Sequence, residues 1–164
     1  DYLMNLFLKG FKGSIKEFNK NNIKVVFSGR KEPLSDKVYE SMKSLEKETL
    51  NNTGGILNIC LNYGGQTEIV DTTKKLINDV LDGKLKTEDI TPEIFMKNLY
   101  NDLPPMDFLI RTSGEIRVSN FMLFSLAYAE MYFPLTYFPD FKEDEFDKAL
   151  EEYTKRDRRF GKNK

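Results

Sequence analysis

The chain alternates between helical and extended apolar patterns along most of its length. Leu3, Leu6, Phe7, Phe11, Ile15 and Phe18 recur at helical spacings and end near Asn21-Asn22. Ile23 to Phe27 is a short apolar run closed by Ser28-Gly29, the pattern of a strand. Ser35 to Leu50 predicts a second helix with Val38, Met42, Leu45 and Leu50 on one face. Asn51 to Gly55 reads as a turn, Ile56 to Leu61 as a second strand, and Glu68 to Leu81 as a third helix that Gly83 terminates. Thr91-Pro92-Glu93 opens a short helix running to Tyr100, because proline suits the first helical position. Leu103-Pro104-Pro105 then leads rigidly into a third strand, Asp107 to Ile110. From Ser119 or Asn120 the chain is apolar on nearly every face for more than three turns, which predicts a helix buried all round with one of those two residues as its cap. Pro134 to Phe138 predicts a fourth strand, and Lys142 to Tyr153 a charged terminal helix with Phe146, Leu150 and Tyr153 facing inward.

Strands that alternate with helices imply an α/β fold, a mostly parallel central sheet with helices on both faces. The 164 residues form one domain, 1–164, with no repeat, low-complexity tract or evident linker. The net charge of −1 implies no general attraction to nucleic acid or to an anionic membrane, so any basic site is local. No apolar run reaches the length that crosses a bilayer, and no signal-peptide pattern opens the chain. The single cysteine, Cys60, excludes an internal disulfide framework and fits a reducing compartment; its apolar setting reads as a buried, inert thiol. With no histidine, His-based triads and His-ligated metal sites are excluded within the chain.

The richest chemistry lies between the third strand and the apolar run after it. Arg111 and Arg117 flank a polar loop holding Thr112, Ser113 and Gly114, and Ser119 adds a hydroxyl. Two guanidinium forks and a hydroxyl at a strand–loop–helix junction suit a phosphate or diphosphate. On residue types alone, surface arginines with Ser119 as a plain helix cap are the commoner account of such a pattern. Gly64-Gly65 reads as a tight strand-to-helix turn; it is neither G-x-G-x-x-G nor followed by a Walker lysine. Glu130, a lone acid in an apolar stretch, needs a partner, either a core arginine or a functional cation.

Taken together, these motifs resemble those of the cis-prenyltransferases. Asp107, Ile110 to Glu115, Arg117, Ser119 to Phe121, Ala127, Tyr128, Glu130, Tyr132 and Phe133 match that family's C-terminal signature without a gap, with Phe124 where tryptophan is common. Leu57, Asn58, Asn62 to Gly65 and Glu68 to Val70 match a second segment, with Gln66 where relatives have arginine. Pro139-Asp140-Phe141 and the closing Arg156 to Gly161 match two more, while Arg30 stands where the family usually has aspartate. The resemblance spans essentially the whole chain but aligns to the C-terminal two-thirds of the family fold. The family's N-terminal strand, with its D-G-N-x-R-W loop and catalytic aspartate, is missing from this segment. The implied expectation is an intact protein that is a prenyltransferase and a segment that is inactive alone, with no catalytic residue in it.

The implied reaction is cis-prenyl chain elongation, in which isopentenyl diphosphate condenses onto farnesyl diphosphate to give a long polyprenyl diphosphate such as undecaprenyl diphosphate. By the same resemblance, Arg111, Arg117 and Ser119 bind isopentenyl diphosphate, and Glu130 lies at the Mg2+ site. Arg159 and Gly161, of an R-x-G element, reach the diphosphate site of a homodimer partner. The first helix would line a tunnel for the growing chain, although plain core accounts equally for its Leu and Phe residues. The implied setting is cytoplasmic, with peripheral membrane contact through the lipid product and no nucleic-acid partner. Two other readings share these residues: a non-catalytic subunit of a cis-prenyltransferase heterodimer, and a diphosphate-binding module. No D-D-x-x-D motif, the paired-carboxylate site of the trans-prenyl synthases, is present.

Overall fold

The structure is a computed structural model that describes residue 10 and residues 13–157. The opening apolar positions Leu3, Leu6, Phe7 and Phe11, and the predicted site residues Arg159 and Gly161, lie outside the described residues. Helix α1 covers residues 13–20. Strand β1 (Ile23–Ser28), helix α2 (Asp36–Glu48), strand β2 (Gly55–Cys60) and helix α3 (Gly65–Leu81) follow. A short helix α4 (Pro92–Lys97) and strand β3 (Phe108–Ile110) come next, then strand β4 (Glu130–Tyr132) and helix α5 (Glu143–Thr154).

The α/β character with parallel strands agrees with the pattern. Among the described residues the strands pair as two parallel ladders: β1 with β2, from Ile23 against Gly55 to Ser28 against Cys60, and β3 with β4, from Phe108 against Glu130 to Ile110 against Tyr132.

The first ladder is closed off by α2. Val38, Met42 and Leu45, spaced four and three residues apart, pack on Val25 and Phe27 of β1, with Ile15, Phe18, Leu34, Ile59 and Leu61 around them. The backbone groups of β1 that face away from β2 find side chains instead. Val25 N–H donates to Thr49 Oγ1 at 3.0 Å and Phe27 N–H to Glu46 Oε1 at 3.0 Å. The carbonyl of Phe27 accepts from Asn101 Nδ2 at 2.9 Å. Side chains thereby take part of the exposed edge of β1. Thr49 is fully buried and uses its hydroxyl both ways, donating to the Leu45 carbonyl at 2.8 Å.

Three expectations fail. Residues 119–128 form turns, not a buried helix. Ser119 (φ 45°), Asn120 (φ 64°) and Met122 (φ 41°) take left-handed backbone, which cannot continue a right-handed helix. The fourth strand is Glu130–Tyr132, and Pro134 to Phe138 is irregular, entering a 3-10 turn at Phe138–Asp140. In α5 it is Ala149 that is buried, whereas Phe146 and Leu150 are largely exposed and only Tyr153 turns inward, its ring tilted against that of Phe108 with centroids 5.0 Å apart. Helix ends moved less: α3 begins three residues before the predicted Glu68, and α4 stops at Lys97 rather than Tyr100. Thr91 caps α4 as its sequence suggested, its hydroxyl accepting from Ile94 N–H at 3.3 Å.

Candidate functional site

The Arg111 loop leaves the carboxyl end of β3, the edge where parallel α/β sheets gather ligands. Three backbone bonds pin its first half to the end of β4 and the irregular segment that follows it. Arg111 N–H donates to the Tyr132 carbonyl at 3.0 Å, Ser113 N–H to Thr136 at 2.9 Å and Gly114 N–H to Pro134 at 2.8 Å. Ser113 and Gly114 take φ of 70° and 68°, so the chain reverses sharply here.

The second half folds back over the first. The Arg111 guanidinium donates through Nη1 to the carbonyl of Arg117 at 2.6 Å. Arg117 Nη1 pairs with the Glu115 carboxylate. Arg111 is half-buried, whereas Arg117 and Ser119 are exposed. Both arginines and Ser119 thus lie on one loop, with the Arg111 fork held on the Arg117 carbonyl and the Arg117 fork and Ser119 at the surface.

Ser119 and Asn120 are not caps of their own helix. Instead Asn120 caps another one. Its carbonyl accepts from Gly65 N–H at 2.7 Å and its Oδ1 from Gln66 N–H at 2.8 Å, at the first turn of α3. This docking explains Gly64-Gly65. A Cβ on Gly64 would stand 2.9 Å from Asn120 Nδ2, and one on Gly65 2.8 Å from Leu123 Cγ and 3.0 Å from the Asn120 carbonyl. The glycine pair admits a neighbouring segment rather than cradling a phosphate.

Beside this contact lies a polar cluster that pattern reading missed. Glu68 is buried, accepting from the Tyr63 hydroxyl at 2.5 Å and from Tyr100 N–H at 3.2 Å. Burial, then that bond to Glu68, pushes the Tyr63 phenol up. The Tyr63 ring meets Phe121 edge-on with centroids 6.2 Å apart, tying the cluster to the Asn120 segment. Asp71 accepts a bidentate pair from Arg30 at 2.6 and 2.8 Å, and the Tyr100 hydroxyl at 2.5 Å. Arg30, the odd residue of its segment, thus has its partner on α3, 41 residues away. The 29–32 stretch is held from the other side by Asn62, whose Nδ2 donates to the carbonyls of Arg30 at 2.8 Å and Glu32 at 2.5 Å.

The Arg30 bond holds the Asp71 carboxyl down to about 2, against the opposing effect of burial and with help from Tyr100. A carboxylate whose folded value lies below its unfolded value, about 4, adds stability that is present above pH 4 and lost as pH falls toward 2. Urea unfolding of the intact protein and its Asp71→Asn variant should give curves whose separation shrinks between pH 4 and pH 2. A constant separation over that window contradicts this account of the pair.

Glu130 sits at the start of β4, not on a helix. It is half-buried, its N–H donates to the Asp107 carbonyl at 3.0 Å, and its Oε2 accepts from Arg156 Nη1 at 3.4 Å. An arginine partner was one of the two sequence expectations for this acid. Among the described residues no three Asp, Glu, Cys or His side chains cluster as a metal site. Burial pushes the Cys60 thiol up to about 11, so it stays protonated at neutral pH, in line with an inert thiol. No helix among the described residues is long and apolar enough to cross a membrane. A cavity of about 740 Å³ opens between α4 and residues 102–105 and 123–128, with Met96, Leu103, Leu123, Phe124 and Tyr128 in its wall. Neither the two loop arginines, Ser119 nor Glu130 lines it.

Residues 1–161 match the family model described as "Putative undecaprenyl diphosphate synthase". The chain is 49% identical over 159 residues to an isoprenyl transferase of Fusobacterium nucleatum, covering 97% of this chain and 66% of that protein. It is 45% identical over 162 residues to the farnesyl-diphosphate-specific ditrans,polycis-undecaprenyl-diphosphate synthase of Legionella pneumophila, covering 98% and 68%. Its fold superposes with a TM-score of 0.91 and 31% identity on lavandulyl diphosphate synthase from Lavandula x intermedia, solved with dimethylallyl diphosphate, covering 99% of this chain and 71% of that one. The chain therefore spans about two-thirds of the length of the relatives it matches. With the Arg111-to-Phe133 signature in register and this fold, the chain belongs to the cis-prenyltransferase family.

Proposed function

We propose that the intact protein elongates cis-prenyl chains by condensing isopentenyl diphosphate onto an allylic diphosphate, farnesyl diphosphate, to make a long polyprenyl diphosphate such as undecaprenyl diphosphate. The observation that carries this reading is the Arg111 loop at the carboxyl end of a parallel strand, where the Arg111 guanidinium is held on the Arg117 carbonyl and Arg117 and Ser119 are exposed. The names of the relatives support the substrate class.

In this reading Arg117 binds the isopentenyl diphosphate by its exposed fork, exchanging part of its pairing with Glu115 for phosphate oxygens. Arg111 holds the loop closed and adds positive charge beneath it. Ser119 offers a hydroxyl to the same group. These residues fix the homoallylic alkene in place while the allylic carbon loses diphosphate, the new carbon–carbon bond forms, and a proton leaves to give the cis double bond. They orient and neutralise and do not act as the base.

Mg2+ takes hard oxygen ligands and is commonly held by one or two carboxylates together with substrate phosphates. Glu130, half-buried with its Oε2 toward Arg156, offers one such carboxylate, so Glu130 would hold the ion. When bound, the ion would stabilise charge on a departing diphosphate.

We assign a homodimer to the intact protein, with Arg159 and Gly161 serving the partner's diphosphate. We place the protein in the cytoplasm, touching the membrane only through its lipid product.

The test is turnover by the full-length protein with labelled isopentenyl diphosphate and farnesyl diphosphate, alongside sedimentation of the same preparation. Label in long, butanol-extractable lipid and a dimeric mass are the expected results. Absence of incorporation, with substrate binding intact, favours the binding-module reading. Incorporation only after mixing with a second family member favours the heterodimer subunit.

A further inference from the structure

We propose that Asn120 is the positioning residue of the diphosphate loop, holding Ser119 and Arg117 in place by capping α3 from outside the helix. The proposal rests on the reading of Arg111, Arg117 and Ser119 as the isopentenyl diphosphate site.

Asn120 satisfies two requirements at once. Its φ of 64° falls where asparagine is better tolerated than most side chains, and Ser119 before it stands at 45°. Its carbonyl and Oδ1 take the N–H groups of Gly65 and Gln66 at 2.7 and 2.8 Å. The Phe121 N–H donates to the Val118 carbonyl at 3.0 Å and closes the turn around Ser119. Ser119 therefore sits between a closed turn and a residue anchored to a seventeen-residue helix.

One consequence concerns where charge is recognised. The N–H groups of Gly65 and Gln66 are already engaged by Asn120, so these two do not themselves face an anion. The helix instead serves as the fixed body against which the arginine loop is set. The glycine pair is the other half of the device, since a side chain at either position meets the docked segment within 3 Å. Gly64 and Gly65 thereby couple the β2–α3 turn to the loop that carries Ser119.

The experiment compares Asn120→Ala, Asn120→Asp and Gly64→Ala in the full-length protein, each checked for an unchanged circular dichroism spectrum at the assay temperature. The reading is KM for isopentenyl diphosphate against KM for farnesyl diphosphate, with calorimetric affinity for isopentenyl diphosphate as a second measure. Asn120→Ala should raise the isopentenyl diphosphate KM about 10-fold or more, the scale on which a lost cap weighs. The farnesyl diphosphate KM should change far less. Asn120→Asp keeps the acceptor for Gln66 N–H and should recover most of the loss. Gly64→Ala, which leaves Asn120 in the chain but crowds its amide, should shift the same KM in the same direction; it also serves if Asn120→Ala does not fold. Equal changes in both KM values, or an Asp variant as impaired as Ala, overturn the proposal. If Arg117→Ala also leaves the isopentenyl diphosphate KM unchanged, the site reading itself fails; if Arg117→Ala raises it and the Asn120 variants do not, only the positioning role fails.

Discussion

Arg117→Ala in the full-length protein should raise the isopentenyl diphosphate KM by about 100-fold while leaving the melting temperature within about 2 °C. The size follows from losing one or two charge-assisted hydrogen bonds to phosphate, each worth about 1.5–3 kcal/mol. The small effect on folding follows from position. Arg117 is exposed, and its pairing with Glu115 is a surface contact of the kind that adds at most about 1 kcal/mol. Arg117→Lys should recover only part of the loss, because an ammonium group lacks the planar fork. Arg111→Ala should be worse on both counts, since its guanidinium also holds the Arg117 carbonyl at 2.6 Å. Steady-state kinetics and a thermal melt on the same preparations check these statements. An Arg117→Ala enzyme with an unchanged KM removes that residue from the site.

The largest effect on stability should come from Gly29→Ala, at the carboxyl end of β1. Gly29 has φ 139°, and an added Cβ would lie 1.9 Å from the Leu61 carbonyl oxygen. Neither backbone can easily yield. Leu61 N–H donates to Ser28 at 3.0 Å, and Arg30 N–H to Asn62 at 3.2 Å, so the clash falls between two ladder-end bonds. Strained backbone together with the loss of those bonds should cost about 3–5 kcal/mol. For a domain of this size that lowers the melting temperature by about 10 °C. A Gly29→Ala protein that melts within 2 °C of the parent contradicts the close approach of β1 and residue 61.

The parts of the fold legible in the sequence are those with a clear period and a punctuated end. Val38, Met42 and Leu45 marked the buried face of α2, although Leu50, expected with them, lies beyond its end and is exposed, and Thr91-Pro92 marked the start of α4. Ile23 to Phe27 and Ile56 to Leu61 marked the first ladder to within one residue. The stretch after Ser119 was misread because a run apolar on every side has no period to follow. Buried turns and a buried helix look alike in such a run. The deciding fact is backbone conformation: three non-glycine residues at positive φ, held by bonds to Gly65 and Gln66 more than fifty residues earlier. Asparagine at position 120 was the single local sign, being a residue that tolerates left-handed backbone.

Long-range partners account for the rest. Arg30 was unreadable from its own segment because Asp71 and Tyr100 explain it, and both lie far along the chain. Glu130 was correctly singled out as an acid in need of a partner, but its place on β4 and its neighbour Arg156 follow only from the three-dimensional arrangement. The arginine loop was legible as a set of residues. What the sequence could not supply was the order within it: Arg111 turned inward as a clasp, Arg117 outward as a hand.

Binding of isopentenyl diphosphate to the full-length protein, followed by the phosphorus resonances of the ligand, tests the loop most directly. The protein should shift and broaden both resonances, excess inorganic pyrophosphate should reverse the effect, and the Arg111→Ala, Arg117→Ala double variant should abolish it. Shifts of equal size in the folded double variant would show that the diphosphate is held elsewhere.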